Sequence, residues 1–140
     1  MIRKCAACGA ANRVPAARLC DTGRCGACKA ALPPPAQAFE ADAAMFDEII
    51  GGAVVPVLVD FWAPRCGPCR MAAPEVAKAA ANLAGRALVL KVNTEEQPAL
   101  AQRYGVRSIP NFAVLRDGVL KRQQPGLMGH RQLEALVLES

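Results

Sequence analysis

Cys66 and Cys69, separated only by Gly67 and Pro68, stand shortly after an apolar run from Val54 to Phe61. A thiol attacks a disulfide only as its thiolate, and the unpaired N–H groups and partial positive charge at a helix N-terminus lower a cysteine pKa from its free value near ~8.5. A buried strand over the apolar run, followed by a tight turn, would deliver Cys66 to such a position. One helical turn later Cys69 returns to the same face, close enough for the pair to close a disulfide. In that arrangement Cys66 attacks and Cys69 resolves. Pro68 suits an early helical position, where a missing N–H costs little. A lone C-x-x-C is equally half of a metal site, so the spacing alone leaves inert or metal-bound cysteines open.

Four more cysteines form a different pattern. Cys5-Ala6-Ala7-Cys8 and Cys25-Gly26-Ala27-Cys28 are two C-x-x-C knuckles with sixteen residues between them, a spacing expected of a zinc ribbon. Each knuckle points two sulfurs the same way, and two facing knuckles supply a closed tetrahedral Zn–S site at ~2.3 Å. So short a segment has no core of its own, and metal binding would be its folding energy. A disulfide pair or a second redox dithiol are the other readings. Cys20 is left over as a spare thiol, a small buried residue, or a substitute ligand for Cys25.

The elements that must position these groups can be read in order. Lys29 to Gln37, with Pro33 to Pro35, reads as a stiff linker. Asp42 can cap a helix from Ala43 to about Gly51, with Phe46, Ile49 and Ile50 buried. The strand Val54 to Phe61 is apolar almost throughout, as in a sheet covered on both faces. The helix after Cys66 should reach about Leu83, with Pro74 inside it. Ala87 to Val92 reads as a parallel strand and Gln97 to Tyr104 as a short helix stopped by Gly105. Phe112 to Arg116 and Val119 to Gln123 flank Asp117-Gly118, a two-residue hairpin signal. Gly126 breaks the chain before a helix from about Arg131 to Leu138. The expectation is an α/β fold, a mixed sheet sandwiched by helices. Met45, Met71 and Met128 read as core or cleft filler, Arg70 as a solvated helix position, and His130 as a residue near a cap.

The segment Asp60-Phe61-Trp62-Ala63-Pro64-Arg65-Cys66-Gly67-Pro68-Cys69 resembles the active-site segment of the thioredoxin family. The likeness continues through Lys91-Val92-Asn93, Gly105 to Pro110, Asp117-Gly118 and Gly126, and covers about Phe39 to Ser140. With the knuckles in front, the whole chain is similar to the zinc-containing bacterial members of that family. The resemblance implies a thioredoxin fold with a zinc ribbon at residues 1–32, a linker at 33–38 and the redox domain at 39–140. It implies that Cys5, Cys8, Cys25 and Cys28 bind one structural zinc, and that Asp60 and Lys91 lie beneath the dithiol, Asp60 relaying protons to Cys69. Asp60 also stands at the end of an apolar strand, where burial should raise its pKa. Ile109-Pro110 matches the family's cis-proline loop, whose backbone pairs with extended substrate. Arg65, Gly67, Pro68, Ile109, Pro110 and Gly126 are thereby the expected substrate-contact residues. Arg65 departs from the family, which usually has tryptophan there. A cation would stabilise the Cys66 thiolate and make the disulfide a stronger oxidant, or it is a tolerated surface change.

Bulk properties bound the rest. At 140 residues and 53% hydrophobic, the chain allows one ordinary domain and a small appendage, and no apolar run approaches the ~20 residues of a membrane span. Met1 to Pro35 holds six basic residues and one acidic, while the remainder holds eleven of each sign, so the net charge of +5 belongs to the first quarter. The start does not read as a secretory signal, which points to a reducing cytoplasm where cysteines are not mainly structural disulfides. The expected function is protein-disulfide reduction. It needs no bound organic cofactor, and electrons would come from NADPH through a separate thioredoxin reductase. Expected partners are that reductase and disulfide-containing proteins, with the chain a monomer. Nucleic acid is not expected, because aromatic residues for base stacking are missing between the knuckles. Rival functions are a disulfide oxidase or isomerase, and a zinc-dependent binding or scaffold module.

Overall fold

The computed structural model describes all residues 1–140. Two short antiparallel hairpins come first, β1 (Ile2–Lys4) with β2 (Ala11–Arg13), then β3 (Gly23–Arg24) with β4 (Ala31–Leu32), a 3-10 turn Ala16–Arg18 between them. The rest is built on β5 (Phe39–Glu40), α1 (Ala43–Gly52), β6 (Val57–Trp62), α2 (Gly67–Asn82), β7 (Leu88–Asn93), α3 (Pro98–Arg103), β8 (Asn111–Arg116), β9 (Val119–Pro125) and α4 (His130–Leu138). The five-stranded sheet has the order β5-β7-β6-β8-β9. The first three strands run parallel, and β8 and β9 are antiparallel.

Central β6 explains its own composition. Val57, Val59 and Phe61 face a core shared with Phe46 and Ile49 of α1 and Leu100 of α3, while Leu58 faces one shared with Ala72, Val76 and Ala79 of α2 and Leu133 and Val137 of α4. Covered on both faces, it has no use for polar alternation. The expected start at Val54 is too early. Val54 is 68% exposed, and Pro56, which has no N–H to donate, precedes the ladder. β5, two residues long and in parallel register with Leu90 and Lys91, is too short to leave a pattern in the sequence. The Asp117-Gly118 turn has φ of +54° and +76°, and Asp42 accepts from the Met45 N–H at 2.8 Å, both as expected.

Although charge sets the first quarter apart, packing does not. Ala16 and Leu19, from the loop between the knuckles, are buried in the same cluster as Phe46, Ile49 and Val57, with Val14 and Cys20 against it. The linker is packed too: Arg3 donates to the Pro33 carbonyl at 2.6 Å and Pro35 is buried. A Cβ at Gly52 would stand 2.8 Å from the Ala16 Cβ, whereas one at Gly51 would meet nothing. Gly52→Ala should therefore cost about 1–3 kcal/mol by overpacking. Gly51→Ala should be neutral or stabilise by up to about 1 kcal/mol. Urea unfolding of the two variants checks this opposition.

Candidate active site and metal centre

The turn after β6 places the dithiol. Cys66 is the N-cap of α2, where its sulfur accepts the Cys69 N–H at 3.1 Å. The two cysteines are joined as a disulfide with Cα atoms 5.2 Å apart. Their exposure differs: Cys66 is half-buried and Cys69 only 5% exposed. The Cys66 sulfur lies 3.6 Å from the Ile109 carbonyl oxygen, in the loop where the Ile109–Pro110 peptide is cis. Pro110 is buried, and its carbonyl accepts the Gly126 N–H at 2.8 Å. Gly126 itself has a φ of +101°, which favours glycine. The structure thus groups Cys66, Ile109, Pro110 and Gly126, with Arg65, Gly67 and Pro68 exposed on the turn.

Asp60 and Lys91 are directly opposite each other on β6 and β7, and Glu40 of β5 is opposite Lys91 in turn. These three share one sheet face, the face covered by α2. Asp60 is 2% exposed, and its Oδ1 has no hydrogen-bond partner. Burial pushes its carboxyl up to about 7, against the pull of the Lys91 ammonium and with some help from Glu40. The Lys91 Nζ stands 4.7 Å from the centroid of the Trp62 ring, a cation–π contact beside the carboxyl.

Three features of the site went unread in the sequence. Arg70 is not merely solvated: its Nε and Nη2 donate to the Pro64 carbonyl at 3.2 and 2.9 Å, pinning the turn that carries Cys66. Met71 is not filler but 65% exposed, two residues past Cys69, and Leu127, next to Gly126, is 47% exposed. The buried positions of α2 fall at Cys69, Ala72, Val76, Ala79 and Ala80, a spacing that skips residue 71, so periodicity places Met71 outside. Glu40 gave no signal because β5 is too short to read.

In the ribbon, the sulfurs of Cys5, Cys8, Cys25 and Cys28 all lie within 4.8 Å of one another, with Cys5–Cys28 and Cys8–Cys25 at 3.6 Å. A tetrahedron with 2.3 Å metal–sulfur bonds has edges of about 3.8 Å, so the donor set fits zinc. The knuckles are alike: Cys5 N–H donates to Ala10 and Cys25 N–H to Ala30, and the residue after each second cysteine, Gly9 or Lys29, has a positive φ. Asn12 bridges them, donating from Nδ2 to the Ala10 carbonyl at 3.2 Å and the Cys25 sulfur at 3.5 Å and accepting the Gly26 N–H at 2.9 Å. Cys20 lies outside the cluster, half-buried against the main core, with its thiol pushed up by burial and by Asp21.

A half-exposed and a buried sulfur paired at a helix start, on a mixed sheet with helices on both faces and a cis-proline loop alongside, define a thiol–disulfide oxidoreductase. Comparison with known proteins narrows the class. The Thioredoxin family profile matches residues 37–139, and the profile described as Thioredoxin 2, N-terminal, a zinc ribbon, matches residues 4–30. The chain belongs to the thioredoxin family, in its zinc-containing type. It is 49% identical over 77 residues to Thioredoxin 1 of Synechococcus elongatus, covering 55% of this chain and 71% of that one. Against Thioredoxin C-3 of Corynebacterium nephridii it is 40% identical over 115 residues, 82% of this chain and 78% of the relative. The structure of a mutant thioredoxin from Halobacterium salinarum superposes with a TM-score of 0.68 at 31% identity, covering 75% of this chain and 91% of that one. The protein is a disulfide oxidoreductase with a zinc site at its front.

The Asp60 carboxyl makes stability depend on pH. With a folded pKa of about 7 against an ordinary 3.8, the folded chain holds a proton that the unfolded chain has released between those values. Stability therefore falls as pH rises through that window, and the full cost persists above it. At about 1.4 kcal/mol per tenfold in proton affinity, the ceiling is about 4 kcal/mol. Asp60→Asn should raise the unfolding free energy at pH 8 by up to that amount and change it little near pH 3.5, as read by urea titrations at both pH values.

Proposed function

We propose that the chain reduces protein disulfides with Cys66 as nucleophile and Cys69 as resolving thiol. The observation that carries this is the unequal exposure of two sulfurs at one helix start. Only Cys66 can be reached from solvent, and the Cys69 N–H held against its sulfur favours the thiolate there. The Cys66 thiolate attacks a substrate sulfur, forming a mixed disulfide and releasing one substrate thiolate. Cys69, deprotonated by Asp60, then attacks the Cys66 sulfur and releases the second. The substrate gains two electrons and two protons, and the chain ends as the Cys66–Cys69 disulfide. A carboxyl titrating near pH 7 on the face covered by α2 is suited to accept the Cys69 proton, and Lys91 keeps it from rising further. Arg65, Gly67, Pro68, Ile109, Pro110 and Gly126 form the substrate surface, in which the Ile109 backbone meets an extended segment and Met71 and Leu127 add apolar rim.

Cys5, Cys8, Cys25 and Cys28 hold the zinc, which closes the ribbon and leaves no open coordination position for catalysis. Residues 1–32 serve as the ribbon, 33–38 as linker and 39–140 as the redox domain. A separate flavoprotein reductase returns the electrons from NADPH, and the chain works as a monomer in a reducing cytoplasm, where the disulfide is transient. No helix is long and apolar enough to cross a membrane.

Insulin-disulfide reduction coupled to NADPH through a thioredoxin reductase tests this reading. Cys66→Ser should abolish turnover, Cys69→Ser should accumulate a mixed disulfide visible by mass, and zinc removal should leave the dithiol chemistry while lowering the melting temperature. Full turnover in Cys66→Ser would overturn the reading. Because Arg65 is exposed, its effect on the thiolate should be small: Arg65→Trp is expected to lower the reduction potential by about 20 mV at most, and an unchanged potential would leave Arg65 without an electrostatic role.

A further inference from the structure

The ribbon carries a cleft that neither the zinc nor the dithiol uses. It lies between the β1–β2 and β3–β4 hairpins, and four arginines line it: Arg3, Arg13, Arg18 and Arg24. One carboxylate, Asp21, lines the cleft with them, and no guanidinium of the four is in a salt bridge with it or with any other acid. Two are held in place by carbonyls, Arg3 by Pro33 at 2.6 Å and Arg24 by Lys29 at 3.3 Å, which leaves their other N–H groups free. Four cations gathered on one cavity repel each other, a cost that solvent screens in part and a bound counter-anion would turn into attraction.

Neutralising the zinc site does not account for them. A tetrathiolate zinc carries two negative charges, yet none of the four guanidiniums donates to a cysteine sulfur; the sulfur in reach of the cleft wall is served by the Asn12 amide. Lys4 and Lys29, next to Cys5 and Cys28 in sequence, already bring two positive charges beside the knuckles.

We propose that this cleft binds a small polyphosphate anion. Guanidinium forks match phosphate oxygens two at a time, and four of them suit a ligand with several phosphate groups. Asn12 and Thr22 add neutral donors in the lining. No aromatic residue lines the cleft, so it has no platform for a nucleobase, and phosphates rather than a nucleoside carry the recognition. The site is remote from the dithiol. The ribbon meets the redox domain at Gly52 and Gly85, just ahead of β6 and β7, and Cys66 follows the other end of β6, six residues or about 20 Å away. Ligand and protein substrate can therefore be bound together.

Calorimetry of the zinc-loaded full chain with inorganic tripolyphosphate tests the proposal. One saturable site is expected, weakening as ionic strength rises. Arg13→Gln and Arg18→Gln should each weaken it about tenfold or more, and Arg13→Lys, which keeps the charge but loses the fork, by less. Arg122→Gln, on β9 outside the cleft, should bind like the parent. Zinc content measured on each variant separates a lost contact from a lost ribbon. No saturable binding into the millimolar range overturns the proposal. So does equal weakening by Arg122→Gln, which would mean diffuse attraction to a basic surface, or hexaglutamate binding as tightly as tripolyphosphate, which would mean an acidic-peptide surface.

Discussion

The double burial of β6 is the constraint on which the rest depends. Flanked by β7 and β8 and covered by helices on both faces, this strand cannot shift by one residue without exchanging side chains of different size between two packed cores and driving the Asp60 carboxyl into the one shared with Phe46 and Ile49. That rigidity holds the turn after Trp62 in one place, and with it the sulfur that caps α2. It also explains how a carboxyl comes to be buried without a hydrogen-bond partner on Oδ1. Asp60 occupies a position whose orientation is dictated by Leu58 and Phe61 around it, so the cost of desolvating it is borne by the strand as a whole.

Asymmetry is what turns the helix start into a redox site. Both sulfurs belong to one turn, yet one meets solvent and the other faces the interior. Arg70 fastens the preceding turn by its Pro64 carbonyl, the Ile109 carbonyl lies against the outer sulfur, and Gly126 ties the cis-proline loop to the last strand. The reacting atoms are therefore held by backbone from three separate parts of the chain.

Much of this was legible in the residues. Strong periodic or punctuated segments, such as the apolar run of β6, the Asp117-Gly118 hairpin and the Asp42 cap, read correctly because local chemistry and tertiary context agree there. The two cysteine patterns did as well, since metal and thiol chemistry restrict spacing tightly. What could not be read depended on contacts far apart in sequence. β5 is two residues whose strand character exists only beside β7, the role of Arg70 needs the fold of the turn before it, and Glu40 matters only through its register with Lys91. The charge contrast between the two ends of the chain carries no sign of the packing of Leu19 against Phe46 and Ile49. Charge reports on solvent and partners; burial reports on cohesion.

That insertion of Leu19 has a thermodynamic consequence. The loop carrying it hangs from both knuckles, so the free energy of metal capture and that of core formation are shared, and each must strengthen the other by the same amount. Oxidants that strip a bound metal from the four clustered sulfurs would thereby loosen the core packed around β6, tying the lifetime of the whole polypeptide to the state of its front end.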